Sequence, residues 1–289
     1  MIITNFSRIL PEESKKCILH IGAHSGGEAA AYEAAGYKNI YWVEADPEIF
    51  PKLRQNVISR KGANHTAFQA LITRSSGGTR TFHRFSNNGA SNSVFRSNEL
   101  FCKNINNVEE TGETVELPEI SLDDLVAENS FHPTTLVVDV QGAELEVLKG
   151  SVNTIDSIWV IEVEVSKQPI YEGGASFEEV DQFLVGQGFQ LVTHVPWHGD
   201  VVYLKSSKFD SNTLSLIRKR ARILRMCELS RKLKQQILHP KKFFRKIKNV
   251  ISRWPTHMWI RHRHRSMLFR IPKSRRRWSI IVFRSLASS

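Results

Sequence analysis

Cysteines, long apolar runs and acidic residues near the carboxyl terminus are all scarce in this 289-residue chain. Its three cysteines are too few and too widely spaced for a disulfide framework or a zinc site, which favours a reducing compartment. No stretch approaches about 18 uninterrupted apolar residues, so no membrane-spanning helix is expected. The first residues lack the basic flank, long apolar core and small-residue cleavage site of a secretory signal. We therefore expect a cytoplasmic protein.

The shortage of acidic residues is confined to one part of the chain. Residues 1–204 contain 15 Lys and Arg against 27 Asp and Glu, a net charge of −12. Residues 205–289 contain 25 Lys and Arg against only two acids, a net charge of +23. This asymmetry predicts an acidic domain over residues 1–204 and a basic carboxyl-terminal extension over residues 205–289.

The acidic part alternates strand-like apolar runs with helical patterns, which is typical of βα units around a mostly parallel sheet. The predicted strands are 17–21, 40–44, 66–72, 79–85, 135–140 and 157–165, followed by an antiparallel pair at 189–194 and 201–204. The predicted helices are 27–35, 46–58, 121–128, 143–148 and 177–186. The sequence thus predicts an α/β fold, a doubly wound sheet that ends in an antiparallel hairpin.

Ligands of doubly wound sheets bind outside the carboxyl ends of the strands, where the strand order reverses. The first predicted strand runs into the turn Gly22-Ala23-His24-Ser25-Gly26-Gly27, whose glycines permit positive φ and close approach of a ligand. Glu44 ends the second strand, where a carboxylate can accept both hydroxyl hydrogens of a ribose. The turn lacks the second glycine of G-x-G-x-x-G, so a nucleoside such as S-adenosylmethionine is favoured over a dinucleotide. A glycine turn beside a solvated acid is the alternative.

Several segments resemble one known family. CILHIGAHSGGE at 17–28 and YWVEADP at 41–47 resemble the cofactor half of FkbM-type methyltransferases, and SLDDL at 121–125 and LVVDVQGAELEVLKG at 136–150 are similar to that family's later motifs. The likeness, which runs to about Tyr203, implies a Rossmann-like class I methyltransferase fold, S-adenosylmethionine as cofactor and O-methylation of sugars or secondary metabolites. His20 departs from the family, since many members have there an acid that helps to hold the cofactor. The predicted cofactor-binding residues are Gly22, Ala23, His24, Gly26, Glu44, Ala45, Asp46 and Ala70.

The candidate catalytic residues are Asp139, Glu164 and His198. Asp139 ends a buried strand and would reach the cleft floor, although it could instead cap the following helix. Glu162 and Glu164 share one face of the predicted strand 157–165, and Glu164 lies nearer its carboxyl end, so Glu162 is interpreted as a structural acid. A carboxylate or imidazole can accept the proton of a weakly nucleophilic hydroxyl, and a histidine beside the final hairpin, His194 or His198, would serve. A solvated or structural role is the alternative for each histidine.

The acceptor and two further features stay open at this point. The predicted strand 135–140 is not followed by the Asp/Asn-Pro-Pro-aromatic motif that amino-methylating nucleic-acid enzymes of similar fold have at this place, so a hydroxyl of a saccharide or glycolipid precursor is the favoured acceptor. The segment NNGASNS at 87–93 would form an acceptor lid or a polar insertion. Glu144 is either a cleft residue or an acid favoured by a helix amino terminus. A metal requirement is not predicted either way, and a non-catalytic binding module is the alternative function.

The basic extension predicts a helix over 211–237, in which Leu214, Ile217, Ala221 and Leu224 share one face. Beyond Pro240, aromatic residues are interspersed among bases, a composition that suits an anionic membrane surface. We therefore expect residues 205–289 to hold the protein at the inner face of a membrane. Nucleic acid is a less favoured partner, and an extension without a specific partner is the remaining alternative.

Overall fold

The computed structural model describes residues 2–238. The strands are β1 Cys17–Ile21, β2 Asn39–Glu44, β3 Asn64–Gln69, β4 Leu71–Thr73, β5 Thr79–Phe85, β6 Glu110–Ser121, β7 Thr135–Val138, β8 Val160–Ser166, β9 Phe189–Leu191 and β10 His198–Lys205. The helices are α1 Ala29–Ala35, α2 Phe50–Ile58, α3 Glu99–Asn104, α4 Leu122–Asn129, α5 Glu144–Lys149, α6 Phe177–Gly186 and α7 Ser211–Leu238. The chain divides after Cys227 into two compact units.

The main sheet has seven strands in the order β3-β2-β1-β7-β8-β10-β9. The first five are parallel, and β10 is antiparallel to both β8 and β9. Neighbouring residues of β1 face opposite layers: Ile18 packs in a core with α1 and α2, and Leu19 packs in a core with α4, α5 and α6. This arrangement confirms the predicted doubly wound sheet with a terminal antiparallel hairpin, because the chain leaves β1 for β2 on one side and later returns to β7 on the other.

Local sequence explains where several helices begin and end. The Ser121 hydroxyl accepts a hydrogen bond from the Asp124 amide at 3.1 Å and caps α4. Ser176 and Glu179 form a reciprocal capping box at the start of α6. Helix α1 ends at Gly36, whose φ of +93° is a left-handed conformation that favours glycine. These end signals explain why the bounds predicted for α4 and α6 lie within one residue of those observed.

The structure corrects the prediction between residues 66 and 121. The strand predicted over 66–72 divides into β3, in the main sheet, and β4, which pairs with β6 in a separate sheet of order β4-β6-β5. Strand β6 was not predicted because half of its twelve residues are exposed and only two are buried, so it lacks the alternation of a half-buried strand. The short helix α3 was also missed. Helix α2 begins at Phe50, four residues after the predicted start at Asp46, because residues 46–49 form a turn.

The first compact unit continues past Leu204 to Cys227. Phe209 and Ile217 are buried against the core that contains α1 and α2, so the first half of α7 packs on the domain. The boundary at residue 204 stays a prediction from charge. The aromatic residues beyond Pro240 lie outside the described residues. Over residues 2–238, every helix is too short or too polar to cross a membrane.

The turn after β1 depends on one glycine. Gly22 has a φ of +81°, and a Cβ atom there would lie 1.7 Å from the backbone carbonyl oxygen of Asp139. We predict that Gly22→Ala lowers the free energy of unfolding by about 3 kcal/mol or more, because backbone atoms of both strand ends must move. Gly27→Ala, where the added Cβ meets nothing within 4 Å, is the matched control and should change stability by less than about 1 kcal/mol. Urea unfolding of both variants measures the difference, and equal stabilities would contradict this account.

Candidate functional site

The carboxyl ends of β1, β2 and β7 meet at the point where the strand order reverses. The amides of Gly22 and Ala23 both donate to the Val43 carbonyl oxygen, at 3.0 and 2.9 Å, and the Asp139 amide donates to Ile21 at 3.0 Å. These bonds hold the three strand ends together. A large cavity of about 800 Å³, counting the part open to solvent, lies beside them. This is the position at which doubly wound sheets bind ligands.

The structure brings part of the predicted cofactor-binding set together around this large cavity. The members that line it are Gly22, His24, Glu44, Ala45 and Ala70. The other three members, Ala23, Gly26 and Asp46, do not line the large cavity. Ala23 is buried in the core with α1, and Gly26 packs so closely on α2 that a Cβ there would approach Leu53 and Val57 within 3 Å. Their cofactor role stays a prediction.

Asp46 also lies outside the lining of the large cavity and is almost fully buried. Its carboxylate accepts hydrogen bonds from Asn92 Nδ2 at 2.8 Å, from Arg84 Nη2 at 3.1 Å and from the Glu48 amide at 2.8 Å. Three donors therefore occupy this carboxylate, which ties the end of β5 and the following segment to the main sheet. In the structure Asp46 therefore holds Asn92, which lines the large cavity, in place.

Glu44 is the carboxylate that faces the large cavity. Its Oε2 accepts from the His24 amide and its Oε1 from the Asp46 amide, each at 2.8 Å. Burial raises the pKa of Glu44, and these two amides oppose that rise. A carboxylate has about four acceptor positions, so both oxygens keep capacity for a ligand. Glu44 is held rigidly and can accept from a pair of neighbouring hydroxyls.

Gln141 joins two of the predicted catalytic residues. Its Nε2 donates to Asp139 Oδ1 at 2.6 Å and to Glu164 Oε2 at 2.8 Å, while its Oε1 accepts from the Tyr171 hydroxyl at 2.8 Å. Gln141 has a positive φ of +54° and precedes Gly142 at +101°, so the turn after β7 directs this side chain back over the strand ends. The amide thereby fixes the separation and orientation of the two carboxyl groups.

The Asp139 and Glu164 carboxyl groups also interact directly. Burial raises the pKa of both, and repulsion between the two groups raises that of Glu164 further. Both shifts disfavour a doubly charged pair, and Glu164 is the member whose charged form is disfavoured more strongly. Asp139 also lines the large cavity, so its carboxylate can accept a proton from a group bound there.

His198 lies farther from the large cavity. It lines, with Glu164, a small neighbouring cavity of about 260 Å³ that also counts open space. Its Nδ1 lies 2.8 Å from the Ser166 hydroxyl, and its Nε2 lies 3.5 Å from Glu164 Oε1. Burial lowers the pKa of His198, so the ring is neutral near pH 7. The structure thus connects the three predicted catalytic residues in the order Asp139, Glu164, His198.

Three further side chains have structural partners. Glu144 Oε1 accepts from the amides of Val140 and Gly142, at 3.2 and 3.0 Å, and so braces the turn that presents Asp139. Glu162 accepts from the amides of Ile2 and Ile3, both at 2.6 Å, in agreement with the structural role inferred for it. His20 is buried beneath α1 with its Nδ1 3.1 Å from the Tyr32 hydroxyl, and burial lowers its pKa to about 4. None of these three lines the large cavity.

The segment 87–93 forms part of the cavity wall. Gly89, Ala90 and Asn92 line the large cavity, and Asn92 Oδ1 accepts from the Phe85 amide at 2.8 Å. The His24 ring donates through Nε2 to the Asn88 carbonyl oxygen at 2.9 Å, so the segment also contacts the turn after β1. These anchors place it over the site, where a lid would lie.

Sequence reasoning missed several lining residues. Gln141, two residues after Asp139, was not predicted as a site residue, although a long amide before a glycine at a strand end was an available signal. Phe82 of β5 and Val94, from the segment that follows β5, supply an apolar wall that the sequence pattern did not reveal. Across residues 2–238, no three His, Cys, Asp or Glu side chains form a group that could hold a metal ion.

Comparison with known proteins adds a family match. The model of the methyltransferase FkbM domain family matches residues 20–191. No curated protein matches the chain.

Among solved structures, the chain is similar to magnesium protoporphyrin IX methyltransferase of Synechocystis PCC 6803, with 7% identity and a TM-score of 0.39 over 71% of this chain and 76% of that one. It is similar to the Methanococcus jannaschii fibrillarin pre-rRNA processing protein, with 15% identity and a TM-score of 0.41 over 68% of this chain and 69% of that one. It is also similar to precorrin-6y C5,15-methyltransferase of Geobacter metallireducens GS-15, with 14% identity and a TM-score of 0.38 over 70% and 85% of the two chains. Likeness this distant carries no argument about a substrate.

The buried carboxyl group of Glu144 predicts a pH dependence of stability. Burial raises its pKa from 4.5 to about 7 in the folded protein. Between these values the unfolded chain releases the proton and the folded protein keeps it, so the Glu144 contribution to stability is present below pH 4.5 and is lost as the pH rises through about 7. We predict that Glu144→Gln reduces the loss of unfolding free energy between pH 5 and pH 8 by on the order of 2 kcal/mol.

Urea unfolding at both pH values measures this change, with Glu128→Gln as the control at an exposed position on α4. The control should follow the wild-type pH dependence. A Glu144→Gln protein with the same pH dependence as the wild type would show that this carboxyl titrates normally in the folded state.

Proposed function

This chain belongs to the FkbM methyltransferase family, and on that premise we propose that it transfers a methyl group from S-adenosylmethionine to a hydroxyl of a saccharide or glycolipid precursor. The observation that carries the proposal is the large cavity at the carboxyl ends of β1, β2 and β7, into which the Glu44 carboxylate and the Asp139 carboxylate both face. The Glu44 carboxylate would accept hydrogen bonds from a ribose, and the Asp139 carboxylate would accept the proton of a reacting hydroxyl.

The residues around the large cavity fit the cofactor. Glu44 would accept hydrogen bonds from the ribose hydroxyls, and Gly22 offers close approach to backbone because it has no side chain. Ala45, Ala70 and Leu71 give small or apolar contacts beside Glu44, where an adenine ring would pack. His20, which is buried beneath α1, takes no part, in keeping with the departure from the family noted at that position.

The carboxyl pair supports proton acceptance from an alcohol. When bound, S-adenosylmethionine would supply an electrophilic methyl group, and breaking of its sulfur–methyl bond would leave S-adenosylhomocysteine. The Asp139 carboxylate accepts the proton of the acceptor hydroxyl as the new oxygen–carbon bond forms. Gln141 donates to that carboxylate at 2.6 Å and orients it, and Glu164, whose raised pKa favours its uncharged form, lies beside it. His198 acts through Glu164, because its ring influences how many protons the Asp139–Glu164 pair holds.

The hydroxyl acceptor is supported by the polar part of the cavity wall. Asn92 and Gln141 line the cavity. The Gln141 nitrogen already donates both hydrogens to Asp139 and Glu164, but its oxygen can still accept, and the Asn92 amide can still donate and accept, as recognition of sugar hydroxyls requires. The turn after β7 reads Asp139-Val-Gln-Gly, without the proline motif of enzymes that methylate base amines. The saccharide class itself rests on the family resemblance.

The first prediction from this proposal concerns cofactor affinity. We expect Glu44→Gln to bind S-adenosylhomocysteine about tenfold or more weakly, because the ribose hydroxyls lose a charged acceptor. Titration calorimetry measures the affinity, and near-ultraviolet circular dichroism verifies the fold. Glu48→Gln, whose side chain is 72% exposed, is the matched control and should bind as the wild type does. Unchanged affinity in the Glu44 variant would remove Glu44 from the cofactor site.

The second prediction separates binding from catalysis. We expect Asp139→Asn to keep its affinity for S-adenosylhomocysteine within about threefold and to lose about 100-fold or more in kcat, because the amide cannot accept the hydroxyl proton. Label transfer from S-adenosylmethionine to polysaccharide, glycolipid, RNA and DNA fractions provides the acceptor. Label in the saccharide-containing fractions alone is the expected result, and label in nucleic acid alone would refute the proposed acceptor class.

A further inference from the structure

Helix α7 has two apolar faces. One face packs on the domain: Ile217 is fully buried, and Leu214, Ala221 and Leu224 are partly buried against the core that contains α1 and α2. This face repeats at the spacing of an amphipathic helix and accounts for the attachment of residues 211–227 to the first unit. The other side of the helix therefore faces away from the core.

The second apolar face is exposed. Leu216, Ile223 and Met226 are 55%, 44% and 62% exposed. At about 100° per residue, their spacing of seven and three residues places them within about 80° of one another around the helix, and about 100° to 180° away from Ile217. We call these three residues the outward face of α7. Single exposed apolar residues are ordinary, but a line of three along one helix face is the pattern of an interaction surface.

Basic residues surround the outward face. Exposed bases accompany it along the same helix turns, namely Arg218, Lys219, Arg220, Arg222 and Arg225. Residues 211–227 contain no Asp or Glu. Apolar side chains with a positive border are the composition of helices that lie in the interface of an anionic bilayer, where the apolar face enters the acyl boundary and the bases meet the headgroups.

We propose that the outward face of α7 docks the methyltransferase domain on an anionic phospholipid surface. A second copy of this chain fits less well, because packing two outward faces together would bring five bases of each copy into one interface. A nucleic acid would neutralise the bases but would leave the three apolar side chains in water. Residues 229–289 contain no acidic residue, so the sequence beyond α7 adds to the same attraction.

Vesicle flotation of the full-length protein tests this proposal. Vesicles of phosphatidylglycerol and phosphatidylcholine should bind the protein, whereas vesicles of phosphatidylcholine alone should not, and added salt should weaken the binding. The triple variant L216S/I223S/M226S should bind about tenfold or more weakly, because it removes apolar area from the interface. The matched control is V152S/V185S, which changes two other exposed apolar residues and should bind like the wild type.

S-adenosylhomocysteine affinity, measured in parallel, should be equal in all three proteins and shows that the domain remains folded. Equal vesicle binding by the triple variant and the wild type would overturn the proposal, since attachment would then come from another part of the chain. The proposal would also be overturned if the wild-type protein did not bind anionic vesicles. Salt-dependent retention of RNA that the triple variant abolishes would then assign the outward face to nucleic acid. A dimer on sedimentation that the triple variant abolishes would assign it to a second copy of the chain.

Discussion

The site depends on a close approach between two backbones at the switch point of the main sheet. Gly22 lies so near the Asp139 carbonyl that no side chain fits between them. Because β1 and β7 are adjacent and parallel, this contact brings the turn that follows β1 and the turn that follows β7 to one edge of the sheet. Glu44 then joins from β2 through the amides of His24 and Asp46. The strand order therefore brings Gly22 and Glu44 to one edge of the sheet with Asp139, which lies 117 and 95 residues after them in the sequence, and this is the edge where we propose that the cofactor binds.

Burial of acidic groups is the second constraint on this molecule. Glu144 and Glu164 are held near Asp139, and desolvation raises the pKa of all three. A protein that bears this cost in stability must keep the groups hydrogen-bonded, and the backbone amides around Glu144 and the side chain of Gln141 do so. The same desolvation disfavours charge on both members of the Asp139–Glu164 pair at once, and we propose that Asp139 is the member that accepts the proton of the alcohol.

The sequence was informative where burial imposes a pattern. The bounds of β1, β5 and α6 agree with the prediction, since apolar runs or capping residues mark them. Strand β6 was missed because only two of its twelve residues are buried and it pairs in a separate small sheet. Glu44 and Asp139 were predictable as strand-end acids. The role of Gln141 was not, because it depends on a left-handed backbone and on the position of Tyr171, which is distant in sequence.

A crystal structure with S-adenosylhomocysteine bound tests the central claim most directly. The account predicts density for the ligand in the large cavity, with the two ribose hydroxyls within hydrogen-bond distance of the Glu44 carboxylate and the sulfur directed toward Asp139. Density for the ligand elsewhere, or in the cavity with its ribose away from Glu44, would contradict the assignment of this strand-end edge as the cofactor site.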